Sequence, residues 1–157
     1  MIPMMPLRTV PLEETDPGDP GDPGVDALMA LHTRTLDALA GYDTMAPKAE
    51  PAFRPVVEQF RALHTRHAAT IANLLVSLGR VADNDGSLMG TVNKTVVTMR
   101  SWFDDIDTGV LGTIHDGEQS VLSAFDTAMA DTFDPAVSNS LSAMRDELTA
   151  LLAQNPD

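Results

Sequence analysis

The sequence predicts an all-α protein: an up-down-up-down four-helix bundle with an additional C-terminal helix. Three observations carry this expectation. Apolar residues recur at spacings of three and four through five long stretches. The 157 residues are 43% hydrophobic but only 4% aromatic, so the core is mostly Leu, Val, Ala and Met, which suits helix packing better than a β-sandwich. Neither alternating strand segments nor a glycine-rich strand-to-helix turn appears, which removes a βαβ reading.

The elements follow from local chemistry. Residues 1–24 contain three tandem triplets, Asp16-Pro17-Gly18, Asp19-Pro20-Gly21 and Asp22-Pro23-Gly24. Pro lacks an N–H and Gly resists ordering, so this segment reads as a flexible arm. The competing reading folds the arm onto the body or a neighbouring subunit through Ile2, Met4, Met5 and Leu7. The bundle domain is residues 25–157. Its first helix, 25–45, carries Val25, Leu28, His32, Leu36, Leu39 and Tyr42 along one side. A break at 46–51 leads to the second helix, 53–79, with the longest apolar stripe: Phe53, Val56, Val57, Phe60, Leu63, Ile71, Leu74, Leu75 and Leu78. Pro55 lies near enough to its start to be tolerated, and Gly79 is the expected stop. After a polar loop containing Asn84-Asp85-Gly86, Ser87 can cap a third helix at 88–105, with Val92, Val96, Met99 and Phe103 inward. The fourth, 110–131, presents Leu111, Ile114, Leu122, Phe125 and Met129. Asp134-Pro135 is a cap followed by a residue suited to the first helical position. The fifth helix then runs to about residue 153 and is expected to pack across the other four.

Composition limits function. There is no cysteine, so disulfides, thiolate metal sites and thiol nucleophiles are excluded. A net charge of −13 opposes binding to nucleic acid or an anionic membrane. No stretch approaches the roughly 18 apolar residues of a membrane span, and residues 1–9 make a poor signal peptide, so a cytoplasmic location is the expectation.

Four histidines and one glutamate are the residues of chemical interest. With Phe60 at zero and about 100° per residue, His64 and His67 fall roughly 40° and 20° either side of the apolar stripe. On the fourth helix His115 and Glu118 sit the same way relative to Leu111. Side chains at i and i+3 project together. Counting from a first connection centred on Lys48 places His32 level with His64, so His32, His64, His67, His115 and Glu118 can share one layer. Two readings stay open. The histidines pair with Glu118, Thr35 or backbone carbonyls as a buried polar layer that fixes helix register. Alternatively, His64, His67, His115 and Glu118, with His32 as a further ligand, hold a transition metal such as Zn or Fe. No hydrolase triad or EF-hand spacing is present.

Two stretches carry a family resemblance. Residues 85–94, Asp-Gly-Ser-Leu-Met-Gly-Thr-Val-Asn-Lys, are similar to the start of the third helix in a bacterial ferritin-like family of unknown function. Residues 110–125, with the pair Gly117-Glu118, resemble that family's fourth helix, and Gly41-Tyr42 resembles its first-helix ending. The resemblance spans about residues 25–153 and implies a ferritin-like bundle; it implies no known activity. Gly112 and Thr113 stand where that family carries an acidic pair, and Glu118 is retained. The resulting expectation is a non-enzymatic bundle with a structural or interaction role, through self-association or a protein partner. The alternative is a metal-binding bundle with a His/Glu core site.

Overall fold

The computed structural model describes residues 21–82, 106–132 and 134–157. Over these the chain forms four helices: α1 Pro23–Met45, α2 Arg54–Ser77, α3 Leu111–Asp131 and α4 Pro135–Gln154. Single 3-10 turns occupy Ala46–Lys48 and Thr108–Val110. The described residues contain no strand, only one parallel bridge pairing Ala49 with Ile106, where the Glu50 N–H donates to the Ile106 carbonyl at 2.9 Å. The arm through residue 20, the Asn84-Asp85-Gly86 loop and the predicted helix 88–105 lie outside the described residues.

The Asp134-Pro135 and Gly79 ends follow the sequence, whereas Asp22-Pro23-Gly24, expected in the arm, opens the first helix instead. The Asp22 carboxylate accepts from the N–H groups of Gly24 and Val25 at 2.8 and 3.4 Å, so α1 begins two residues earlier than the periodicity suggests, with Pro23 in its first turn. Asp134 repeats the device for α4, accepting from Ala136 and Val137 at 2.9 and 3.4 Å. Helix α2 closes on a Schellman arrangement. Gly79 takes φ 78°, its N–H reaches the Val76 carbonyl at 3.0 Å, and the Arg80 N–H reaches Leu75 at 2.9 Å.

Each helix packs antiparallel to two of the others. Asp43 of α1 meets Arg61 of α2 at 2.5 Å. Against α3, Tyr42 bonds Glu118 at one end. At the other, Gly24 is so close that an added Cβ would fall 2.8 Å from the Asp131 carbonyl oxygen. On α4, Arg145 holds Asp126 of α3 at 2.6 Å, and the Asn155 carbonyl meets His115 at 2.6 Å. Arg66 of α2 reaches Glu147 of α4 at 3.4 Å. Phe60, Ile71, Leu75, Phe125, Leu141 and Leu148 fill the space between and are fully buried. Burial of each such side chain is worth about 1.5–3 kcal/mol, against which the exposed ion pairs are minor.

Two expectations change. The last helix does not cross the others. The contacts at Asp126–Arg145 and His115–Asn155 keep α4 alongside α3 for eleven residues of α3, about 16 Å. The α1–α2 register also shifts. The 3-10 turn at Ala46–Lys48 prolongs α1, so the pairs Tyr42–His64 and Asp43–Arg61 centre the hairpin near residues 52–53 instead of Lys48. His32 is therefore level with Ala72–Leu74, ten residues and about 15 Å along α1 from Tyr42.

Since Ala at φ near +78° carries a left-handed penalty, Gly79→Ala should lower stability by about 1–2 kcal/mol without changing helix content. Urea denaturation followed by circular dichroism measures this.

Candidate functional site

The buried polar residues among those described are His32, Thr35, Asp37, His64, His67 and Glu118. The residue that gathers them is Glu118, 1% exposed and placed by the inward stripe of α3 between Ile114 and Val121. Its Oε1 accepts from two other helices. The Tyr42 hydroxyl of α1 donates to it in a very short hydrogen bond, and His64 Nε2 of α2 lies 2.8 Å away.

The aromatic packing sets this geometry. The Tyr42 ring stacks on Phe60, centroids 5.4 Å apart, and on His64 at 5.6 Å, with planes within 14° of parallel. Phe60 and His64 are four apart on α2, so one face of that helix supplies both platforms. His67 sits edge-on to His64 at 6.4 Å and to Phe125 of α3 at 6.0 Å. An imidazole with its proton on Nε2 uses its one donor on Glu118 and leaves Nδ1 as a bare acceptor. Nδ1 of His64 indeed lacks a partner among the described residues, as does Oε2 of Glu118.

His67 Nε2 approaches Glu147 Oε2 of α4 at 3.5 Å, close enough for an ion pair but without hydrogen-bond geometry, and neither ring nitrogen has a hydrogen-bond partner among the described residues. Burial pushes the His67 pKa down; Glu147 opposes this and the neighbouring His64 adds to it. Burial also lowers that of His32. The Tyr42 hydroxyl is raised well above its ordinary value, first by burial and then by the Glu118 charge and hydrogen bond.

A cleft of about 220 Å³ borders the cluster between α1 and α3. Tyr42 and Glu118 line it together with Asp37, Gly41 and Gly117. Met45, Ile114 and Val121 give it apolar wall, while Thr113 and Ser120 add hydroxyls. Asp37 is 8% exposed and its Oδ1 has no partner among the described residues. Burial pushes the Asp37 carboxyl up, opposed by the charge of Arg34 at the rim.

The five residues singled out in the sequence separate into three places. His64 and Glu118 meet, with His67 beside them. His115 is turned to α4, where its Nε2 donates to the Asn155 carbonyl at 2.6 Å. His32 is buried near the middle of α1, ten residues before Tyr42, and Thr35 donates to Leu31 of its own helix. Among the described residues no group of three or more His, Asp or Glu is arranged to hold a metal ion. Sequence reasoning missed Tyr42 as a hydrogen-bonding partner. Its period placed it on the inner side of the first helix, where a buried Tyr needs a partner for its hydroxyl.

No helix of the described residues is long and apolar enough to cross a membrane. A family model described as Domain of unknown function (DUF2383) matches residues 24–131, and the chain belongs to that family. Neither a curated protein nor a solved structure matches the chain.

Two titrations follow from the cluster. The chain holds a single tyrosine, so absorbance of the phenolate reads Tyr42 directly. Because its pKa is raised on folding, its contribution is intact below about pH 10 and is lost as pH rises further, so phenolate should appear only with unfolding. The histidines act oppositely. His32 and His67 are lowered on folding, so stability is full above about pH 6.5 and falls as acid protonates the unfolded chain first. The urea midpoint measured against pH should decline below that point, with a shallower decline in His67→Leu.

Proposed function

We propose that this member of the DUF2383 family is a ferritin-like helical bundle with a structural or interaction role and no catalysis, held in one register by the Tyr42–Glu118–His64 cluster. The observation that carries this reading is the convergence of a hydroxyl from α1 and an imidazole from α2 on a single carboxylate oxygen of α3. Three helices are tied at one height by groups that cannot be mispaired without leaving a buried charge bare, which costs several kcal/mol. Supporting the ferritin-like assignment are the antiparallel α1–α2 and α1–α3 packing and the resemblance of residues 110–125. The strongly negative surface and the apolar core suit a cytoplasmic protein that works through self-association or a protein partner, not on nucleic acid or membrane.

A polar tie and a reaction centre respond differently to removal. Tyr42→Phe should lower stability by about 1.5–3 kcal/mol, the range for a hydrogen bond to a charged group. The triple replacement Tyr42→Phe, His64→Leu, Glu118→Leu should keep or raise the melting temperature while near-ultraviolet circular dichroism and amide NMR dispersion collapse toward several packings. Retention of one sharp spectrum in that variant would sink the register role. Sedimentation over a concentration series tests the interaction role: reversible association is expected, and a strict monomer at every concentration would rule out self-association.

A further inference from the structure

The polar link between α2 and α4 ends on a single atom. Among the described residues, the hydrogen bond and ion pairs that join these two helices all reach Oε2 of Glu147: Arg66 Nη2 lies 3.4 Å away and His67 Nε2 3.5 Å. The two partners differ in kind. Arg66 is always charged and its side chain is 65% exposed, so its contact with Glu147, itself 49% exposed, is a surface ion pair of little worth. His67 is of a type that changes charge in the mildly acidic range, and its side chain is only 3% exposed. The charged or titratable groups acting on it are Glu147 of α4 and His64 and Arg66 of its own helix. From α3 it meets the ring of Phe125, while Glu118 of that helix is engaged by Tyr42 and His64. Among the described residues His67 belongs to no group that could hold a metal ion.

We propose that the α2–α4 seam carries an acid-operated exchange of partners: when the His67 ring takes up a proton, Glu147 leaves Arg66 and pairs with His67, so that the seam closes on a buried cation instead of a surface one. A proton on His67 places charge where solvent hardly reaches, and such a charge demands an anion. Glu147 is the only carboxylate within ion-pair distance of it among the described residues. Shortening Nε2···Oε2 from 3.5 Å to the roughly 2.8 Å of a charge-assisted hydrogen bond needs a movement of about 0.7 Å, within the freedom of a half-exposed side chain. Leaving Arg66 costs little, because water replaces the carboxylate around an exposed guanidinium. His64 restricts the device to one charge, since a cation on that ring would repel one on His67. The tie at Glu118 and the seam at Glu147 use different histidines, so proton uptake by His67 leaves the His64–Glu118 contact in place.

The test is an NMR titration of the full chain from about pH 8 down to the onset of acid unfolding, with circular dichroism marking that onset. The His67 ring should titrate below about pH 6.5, and the Glu147 carboxyl shift and the Arg66 Nε–H exchange rate should move through the same midpoint. Glu147→Gln should lower the His67 midpoint by about half to one pH unit, weakening proton binding roughly three- to tenfold, because the anion is lost. Arg66→Gln should raise it by a smaller amount, about twofold in proton affinity, because a competing cation is gone. His32, lowered by burial alone, is the internal control and should respond to neither variant. The proposal is overturned if His67 does not titrate before the chain unfolds, or if Glu147→Gln leaves its midpoint in place. Arg66 exchange that is the same on both sides of the midpoint would also overturn it, as would a change at His32 as large as that at His67. Neither variant touches Tyr42, His64 or Glu118, so the register role is tested separately, and a strictly monomeric protein that shows the exchange would retain this inference.

Discussion

A carboxylate inside an apolar bundle is the constraint on which the described structure turns. Glu118 is almost completely buried, and a carboxylate in such a place must find donors or destabilise the fold. It finds them on two different helices, so satisfying one side chain fixes the relative height of three backbones. Sliding α2 by one turn would move His64 about 5.4 Å from Oε1 and strand the charge. Apolar contacts alone tolerate such slips far better, because one leucine can replace another against the same surface. The polar contact thus selects among packings that hydrophobic burial would leave close in energy.

The aromatic residues make that selection possible. Tyr42 lies against Phe60 and His64, two platforms one helical turn apart on α2, and this stacking aims its hydroxyl at α3. His67 extends the aromatic contact from His64 to Phe125, linking α2 to α3 beside the carboxylate. The α1–α3 contact contains the hydrogen-bonded oxygen of Glu118 and, beside it, the cleft.

Much of this was legible in the chain. Helix boundaries followed from Asp134-Pro135 and Gly79, because capping is a matter between neighbours in sequence, whereas the same Asp-Pro signal at Asp22-Pro23 was hidden inside the triplet repeat read as an arm. The inward placement of His64, His67 and Glu118 followed from a period of 3.6, which is also local. Heights across helices were less accessible. The extra turn at Ala46–Lys48 moved the α1–α2 register by several residues and carried His32 far from His64. His115 found the end carbonyl of α4, whose course alongside α3 no periodicity specifies. Tyr42 was visible as an inward residue, but its role depended on which atoms of two other helices would face its hydroxyl.

The sequence by itself determined the helical class, the ends at Asp134-Pro135 and Gly79, and the inward faces, since each depends on residues within one or two turns of each other. The tertiary structure alone decided which inward groups meet. It brought Tyr42 and His64 to one oxygen of Glu118 and separated His32 and His115 from them. The reason is physical. A side chain's face is set by its own helix, whereas its partner is set by the angle, height and spacing of another helix, which depend on the packing of the whole core.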